Sequence, residues 1–457
     1  MRDLARLSGA HWPPDAYPRT ALPERVLQFG TGMLLRALCA TSVDAANRAG
    51  AFGGRIVVVQ STSLGQARAL NAQDGLFTLV ERGLERGVPV DRTRLIGSIS
   101  RALLADAEWD AIREVAAWPE LRVIVSNVTE AGFRPDGSFP HRLTDLLYTR
   151  FARLPDGPPI FVIPTELVDE NGPRLAVMVE RLAEDREGGA QFREWLARRV
   201  RFCSSLVDRI TTGTPPPEVL TTLEDRLGYR DSLLTVTEPY ALWAIEADPA
   251  ALRAAFAIAV TPEVIVAPDI AFYRERKLRL LNGAHTVTAP LALLAGVRTV
   301  REAADHPQLG PFLRRIVFAE LGPATDLPPG EAVSFGRAVI ERFRNPWLDH
   351  EWRVIATSQS DKLRLRAVPA IARFVRKRGV APQGLALGFA AYLQWAHLTP
   401  STLADEGVWG LNLARLPGFL DATTHWLQLL EHDGVDAALA ALAESVPDHA
   451  GSGRAAP

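Results

Sequence analysis

Lysine is almost absent from this chain of 457 residues, although positively charged residues are common. Of the 51 Lys and Arg residues, only Lys277, Lys362 and Lys377 are lysines. Arginine keeps its proton near neutral pH, whereas a buried lysine can lose it. The few lysines are therefore candidates for roles that need a titratable amine and not only a positive charge.

Cysteine clusters, excess charge and long apolar runs are also lacking. The two cysteines, Cys39 and Cys203, form no CxxC or Cys/His cluster, which argues against a metal centre or a disulfide framework. A net charge of −2 offers no basic surface to nucleic acid. No run of about 18 apolar residues could span a membrane, and the first residues lack the apolar core of a signal peptide. We expect a cytoplasmic globular protein that binds no metal, nucleic acid or membrane.

The order of the patterns predicts two domains of different class. Apolar strand patterns alternate with helical ones until about residue 260, and long helical patterns follow. We predict an α/β, Rossmann-like dinucleotide-binding domain at residues 1–225 and a mostly α-helical substrate and catalytic domain at residues 226–457. From about residue 449 the composition is that of a disordered tail.

A strand, a glycine turn and a helical pattern open the predicted N-terminal domain. Val26–Phe29 is apolar, Gly30-Thr31-Gly32 follows, and the helical pattern runs from about Met33 to Asn47. In dinucleotide sites such glycines let the backbone approach the pyrophosphate, and the helix N-terminus supplies N–H groups. A simple turn would give the same pattern, but a second apolar strand at Arg55–Gln60 favours a nucleotide site.

The end of that second strand carries no acid to bind the ribose of NAD. Gln60, Ser61 and Thr62 occupy the position, and no arginine is present for the 2′-phosphate of NADP. This position therefore leaves the choice of cofactor open.

Two further apolar strands also end in polar residues. Leu121–Ser126 leads into Asn127-Val128-Thr129-Glu130, and Ile160–Ile163 leads into Pro164-Thr165-Glu166. Ligands of open parallel sheets bind beside the carboxyl ends of the strands. We therefore expect residues 127–130 to contribute to the site, with ordinary turn capping by Asn127 and Thr129 as the alternative.

The segment Asp269–Pro290 carries three residues that suit the chemistry of a carbonyl group. Lys277, Asn282 and His285 are spaced K-x4-N-x2-H, and on one α-helix they share a broad side. A buried amine can give or take a proton, while an amide and an imidazole can hold the carbonyl oxygen. The segment predicts carbonyl reduction beside a hydride donor. The alternative is a solvated Arg/Lys helix face with His285 as a core histidine.

With these residues in place, the chain resembles the long-chain polyol dehydrogenases, a family that includes mannitol dehydrogenases and hexuronate reductases. The shared motifs are K-x4-N-x2-H, QFGTG-x-LLR at Gln28–Arg36, SNVTEAG at Ser126–Gly132 and FCSSLVDRITTG at Phe202–Gly213. The hexuronate branch is the most similar, through QDGLFTLVERGL at Gln73–Leu84, YRERKLRLLNGAHT at Tyr273–Thr286 and RFRNPWLDH at Arg342–His350.

The resemblance implies an NAD-linked enzyme that reduces the ketone of a hexuronate with NADH, as in the reversible conversion of tagaturonate to altronate. It implies that Lys277 is the general acid/base and that Asn282 and His285 polarise and orient the ketone. The cofactor-binding positions that it implies are Gly30, Gly32, Arg36, Asn127, Thr129 and Glu130.

The resemblance also bears on the substrate. Asp208 matches a substrate-pocket position of the family. Glu166 lies in the Thr165-Glu166-Leu167 stretch, where mannitol dehydrogenases carry an asparagine, so we expect it to face the substrate and we disfavour mannitol. The carboxylate of a uronate is best bound by a bidentate arginine. We select Arg344 for this role, with Lys362 as a second contact. The alternatives are Arg209, Arg342, Arg364 and Arg366.

Three other functions fit the same sequence. Two are sister activities, fructuronate reduction and oxidation of a mannitol-type hexitol. The third is a catalytically silent dinucleotide-binding sensor, which gives position 277 no reason to be a lysine.

Overall fold

The computed structural model describes residues 4–129, 131–213 and 215–445. The chain forms two compact units, one made of Met1–Arg82 and Val90–Ile270, the other of Gly83–Pro89 and Ala271–Pro457. The predicted tail and the cofactor candidate Glu130 lie outside the described residues. Within the described ranges, no helix has the length and apolar character needed to cross a membrane.

The strands follow the apolar runs of the sequence closely. They are β1 (Glu24–Phe29), β2 (Arg55–Gln60), β3 (Phe77–Glu85), β4 (Val88–Ile96), β5 (Ile99–Leu104), β6 (Val123–Ser126), β7 (Ile160–Pro164), β8 (Val200–Phe202), β9 (Ser205–Asp208), β10 (Thr211–Gly213), β11 (Thr235–Thr237), β12 (Leu242–Glu246) and β13 (Val264–Ala267).

Helices surround these strands and make up most of the second unit. Those of the first unit span Met33–Leu35, Thr41–Arg48, Ala67–Ala72, Trp109–Ala116, Ser138–Arg153, Asn171–Glu184, Gly189–Arg199, Pro217–Leu227 and Pro249–Ala255. Those of the second unit span Ala271–Arg276, Ala284–Leu294, Val300–Asp305, Leu309–Arg315, Gly322–Ala324, Pro329–Phe343, Trp352–Ile355, Gln359–Lys362, Val368–Arg378, Gln383–Trp395, Glu406–Trp409, Phe419–His432 and Gly434–Glu444. Four segments of the described chain are π-helical, namely Arg36–Ala40, Lys277–Gly283, Ile316–Leu321 and Leu363–Ala367.

Six of the described strands form a parallel sheet in the order β5-β2-β1-β6-β7-β8. Numbered within the sheet, this is the order 3-2-1-4-5-6 of doubly wound dinucleotide-binding folds. Alternate residues of each strand enter two cores, so that Val26 packs on one face and Leu27 on the other. Burial on both faces explains why the strands are continuous apolar runs. The predicted fold class, a Rossmann-like domain before a helical region, is confirmed.

The first unit extends beyond the predicted boundary at residues 225/226. β11 pairs with β3 and β10, and β12 pairs with β9, so the chain after residue 225 completes sheets that began earlier. The division between the compact units therefore lies between Ile270 and Ala271. Short strands without a repeating apolar pattern give little local signal of this pairing.

The second unit is built around a continuous helical segment, residues 271–294. Its last part, Ala284–Leu294, is buried without interruption from Ala284 to Ala292. It packs against the helices Gln383–Trp395 and Trp352–Ile355. A helix that is buried on every side lies in the middle of a core, so the side chains of this helix are held in fixed positions.

One carboxylate anchors the helix Gln383–Trp395 beside it. Glu320 is only 3% exposed and accepts bonds from the backbone N–H groups of Gly384 and Leu385, both at 2.8 Å. The Nε of Arg315 donates to the same carboxylate at 3.2 Å. These bonds satisfy donors that a helix N-terminus leaves without internal partners.

We predict that Glu320→Ala destabilises the protein by about 3 kcal/mol, because it leaves a charged group and two buried N–H groups without their acceptor. The measurement is the free energy of unfolding in urea. Exposed Glu431 provides the control, since Glu431→Ala should change stability by less than about 0.5 kcal/mol. Equal effects of the two substitutions would contradict the anchoring role.

Candidate active site

The turn after β1 has the shape of a nucleotide cradle. Gly30 has φ +121°, and a Cβ there would lie 2.8 Å from the backbone oxygen of Asn127, so a side chain is excluded. A Cβ at Gly32 would meet nothing within 4 Å, which leaves the backbone open to a ligand. Gly32 is also the N-cap of the helical residues 33–48. These features fit a pyrophosphate at a helix N-terminus.

Arg36 supports this turn from the inside. Its side chain is 1% exposed and donates to the backbone oxygen of Thr31 at 2.7 Å and to Oγ1 of Thr235 at 3.1 Å, with a further bond to Gln66. Burial lowers the pKa of Arg36 to about 10. The guanidinium group is thus bonded within the first unit, where it braces the turn.

The polar residues after β6 and β7 are bonded to one another. Asn127 donates from Nδ2 to Oγ1 of Thr165 at 3.0 Å, and Glu166 accepts from Val128 N at 2.8 Å and from Ser126 Oγ at 3.1 Å. Burial raises the pKa of the Glu166 carboxyl group. The carboxyl ends of these two neighbouring strands are therefore held together as a rigid polar edge.

The remaining candidates of the first unit occupy different settings. Thr129 accepts the N–H of Gly132 at Oγ1, 3.2 Å away, which is the turn capping that the sequence offered as an alternative. Asp208 is buried at the carboxyl end of β9. Its neighbour Arg209 forms a buried ion pair with Glu81 and donates to the backbone oxygen of Glu238, so its charge is already matched.

Lys277, Asn282 and His285 lie on the central segment of the second unit, but not on a regular α-helix. Lys277 and Asn282 are in the π-helical turn Lys277–Gly283, and His285 is in the α-helix that follows. In a π-helix the backbone hydrogen bonds join residues five apart, so side chains five residues apart lie nearer to the same side than they do in an α-helix. The turn therefore draws the amine and the amide together. Lys277 is buried, at 7% exposure, and Asn282 is half-buried.

The ring of His285 is enclosed by other aromatic rings. Its centroid lies 4.2 Å from that of Phe343, 5.2 Å from that of His350 and 6.0 Å from that of Trp352. Burial, with the nearby His350, Arg342 and Arg366, lowers the pKa of His285 well below its ordinary value. The imidazole is therefore neutral at pH 7 and can donate one hydrogen bond while accepting another.

Several polar atoms around this ring have no partner among the described residues. They include Nε2 of His285, Nε1 of Trp352 and Oε1 of Gln359. Gln359 is held close by, because its Nε2 donates to the backbone oxygen of Thr286 at 2.6 Å. Buried polar groups normally find partners in protein or solvent, so this region has bonding capacity for a polar ligand.

The arginine chosen from the sequence does not belong to this cluster. Arg344 has a side chain that is 54% exposed and paired with Asp305 at 2.9 Å. Arg342, two residues earlier, is buried beside His285 and His350. Side chains two residues apart on an α-helix point about 200° apart around its axis. Arg342 is therefore the arginine of RFRNP that points inward. Arg344 stays a prediction from the sequence, and its charge is matched by Asp305 in this structure.

Lys362 does lie among these residues. Its ammonium donates to the backbone oxygen of Ile355 at 2.8 Å, and burial together with Arg366 lowers its pKa. Lys362 also contributes to the lowered pKa of His350. No group of three His, Cys, Asp or Glu side chains suited to a metal ion occurs in the described part of the chain.

Two family models match the chain in the order of its two units. The Mannitol dehydrogenase Rossmann domain matches residues 24–255, and the Mannitol dehydrogenase C-terminal domain matches residues 269–402. The chain belongs to the mannitol dehydrogenase family. Membership confirms the expectation of an oxidoreductase that acts on CH–OH groups.

Named relatives of this mannitol dehydrogenase family member cover most of its length. It is 38% identical to the altronate oxidoreductase of Klebsiella pneumoniae over 82% of this chain and 80% of the relative. It is 33% identical to that of Bacillus subtilis over 92% of this chain and 95% of the relative. The mannitol 2-dehydrogenase of Pseudomonas fluorescens, solved with NAD and D-mannitol, has the same fold, with a TM-score of 0.76 at 23% identity over 96% of this chain and all of the other.

Sequence reasoning missed the residues that surround His285. His350 is the last residue of the motif RFRNPWLDH, and Trp352 lies two residues after it. That motif signalled family likeness, but a single sequence does not show which of its side chains point inward. The enclosing rings were therefore found only in the structure.

We predict that part of the stability of the protein is lost below about pH 6.5 because His285 resists protonation. The folded pKa lies below the unfolded one, so the contribution is complete above the unfolded pKa and is lost as the pH falls toward the folded value. His350, whose pKa is also lowered, adds to the effect. Urea unfolding between pH 7.5 and 5.5 measures it.

His285→Gln should flatten this dependence by up to about 1.4 kcal/mol per pH unit, the contribution of one proton. Exposed His425 is the matched control, and His425→Gln should keep the steeper wild-type slope. A His285→Gln slope equal to that of the wild type would contradict the lowered folded pKa, because it would mean that the imidazole binds protons equally well in the folded and unfolded states.

Proposed function

We propose that this protein reduces tagaturonate to altronate with NADH, and catalyses the reverse reaction, with Lys277 as general acid/base. The observation that carries the proposal is a buried amine, an amide and a neutral imidazole on one helical segment of a mannitol dehydrogenase family member. Support for the substrate comes from relatives named altronate oxidoreductase, with 33–38% identity over 82–93% of this chain.

The proposed cofactor is NADH, bound at the glycine turn of the first unit. Gly30 and Gly32 fit its pyrophosphate, and Asn127 at the end of β6 is the proposed polar contact nearby. When bound, NADH supplies the hydride. The choice of NAD over NADP is supported by the Pseudomonas relative, which was solved with NAD.

Lys277 has the proton-transfer role in this proposal. In reduction its ammonium gives a proton to the ketone oxygen as that oxygen becomes a hydroxyl group, and in oxidation the neutral amine takes the proton back. Because an arginine could not release a proton near neutral pH, the proposal explains why this position is one of only three lysines.

Asn282 and His285 hold the oxygen on which the proton arrives. An amide N–H and an imidazole N–H stabilise negative charge that develops there, and fixed donors cost little reorganisation. Neutrality of His285 matters, because an imidazolium close to Lys277 would favour the deprotonated amine. Burial of the ring therefore keeps the proton on Lys277 available for reduction.

We predict that Lys277→Met lowers kcat at least about 10²-fold, the usual loss for a general acid, while NADH affinity stays nearly unchanged. Methionine keeps the length of the side chain and removes the amine. Steady-state kinetics and fluorescence titration with NADH provide the two measurements. A fall in kcat below about fivefold would remove Lys277 from the mechanism.

Lys377→Met makes the same change at a lysine bonded to Asp326 and to the backbone oxygen of Thr325. It should leave kcat within about twofold. A sensor protein, the alternative of another class, predicts NADH binding without turnover in the wild type and in both variants.

A substrate panel tests the identity of the substrate. We predict that NADH is oxidised faster with tagaturonate than with fructuronate, and slowest with fructose, which has no carboxylate. Initial rates at equal concentrations of the three compounds decide between them. The highest rate on fructuronate would assign the sister activity, and the highest rate on fructose would reject a uronate substrate.

A further inference from the structure

Two cations, one near His285 and the other near His350, have no acidic partner among the described residues. Arg366 is half-buried in the π-helical turn Leu363–Ala367, and its side chain donates to Oγ1 of Thr286 at 3.2 Å. Lys362, one turn earlier, bonds to Ile355 and Thr357 only. Neither forms an ion pair within the part of the chain that the structure describes.

Other arginines of this region differ in this respect. Arg364 pairs with Asp361, Arg344 with Asp305, and Arg279 with Glu275. Acidic side chains therefore lie within reach of these three arginines and match their charges. Arg366 and Lys362 are thus distinguished by the absence of an acidic partner among the described residues, and not by residue type.

Removing a cation from water costs free energy unless a counter-charge is supplied. Arg366 and Lys362 lie close enough for their charges to repel. After burial, the charge of Arg366 also contributes to the lowered pKa of His285. The fold therefore maintains positive charge next to the neutral imidazole that is proposed to hold the ketone. An anion bound there would reduce this cost.

We propose that Arg366, assisted by Lys362, binds the carboxylate of the substrate and so selects sugar acids over neutral sugars; this inference rests on the proposed function. The planar guanidinium group matches a carboxylate with two parallel hydrogen bonds, while an ammonium group adds a point charge. Arg366 is already anchored at one nitrogen by Thr286, and Thr286 is the neighbour of His285.

The test compares Arg366→Gln, Arg366→Lys and the control Arg364→Gln in steady-state kinetics with tagaturonate. Arg364 lies two residues away, with a side chain that is 41% exposed. Arg366→Gln should raise KM about 10- to 100-fold, as expected for lost charge-assisted bonds, with kcat changed less than about threefold. Arg366→Lys should give a smaller rise in KM, because the positive charge remains while the bidentate hydrogen bonding is lost. Arg364→Gln should stay within about twofold of the wild type.

A KM that changes less than about threefold in Arg366→Gln would overturn the inference. So would an equal fall of kcat and kcat/KM, because that pattern indicates a loss other than ground-state binding. If Arg366→Gln does not fold, the lysine variant decides alone, and an unchanged KM in it overturns the inference. A wild-type protein that does not turn over tagaturonate refutes the proposed function itself, whereas normal wild-type turnover with an unchanged variant KM refutes only this assignment.

Discussion

The enclosed helical segment of the second unit is the constraint on which the candidate site depends. Residues from Ala284 to Ala292 are buried on all sides, so this helix cannot rotate without disrupting the core around it. The π-helical turn that precedes it adds one residue to the local bonding pattern. As a result, Lys277 and Asn282 are brought toward one side, while the ring of His285 is fixed among other rings. Packing, and not the polar residues themselves, sets the geometry of the site.

Local patterns predicted a large part of the first unit. The apolar runs placed β1 within two residues and β2 without error, because a strand buried on both faces must be apolar along its length. The glycine turn could also be predicted, because the structure requires glycine there. Gly30 has a positive φ, and a neighbouring backbone oxygen leaves no room for a side chain. Arg36 was harder to interpret. Its inward side chain is bonded to Thr235, a residue far away in the chain, and such pairing leaves no trace in the local sequence.

The arginines of the second unit show where reasoning from sequence fails. Arg342, Arg344, Arg364 and Arg366 are chemically identical, and two short motifs contain all four. Their surroundings differ: Arg344 is exposed and Arg364 half-buried, and both pair with acids, whereas Arg342 is buried and Arg366 is half-buried with no ion pair among the described residues. The π-helical turn at Leu363–Ala367 changes which side of the segment faces inward. An α-helical projection of the sequence therefore does not give the orientation of Arg364 and Arg366.

Burial has opposite consequences for the two kinds of basic group in this cluster. Histidine can escape the cost of a buried charge by releasing its proton, because its ordinary pKa is close to neutral. Arginine cannot, so Arg342 and Arg366 remain charged and push the pKa of His285 down further. The neutrality of the imidazole is therefore partly a product of the cations beside it. Burial is nevertheless the largest cause of the lowered pKa of His285, so a substitution that removed one of these charges would leave the imidazole neutral at pH 7. Recognition of an acid can therefore change without changing the group that is proposed to hold the ketone.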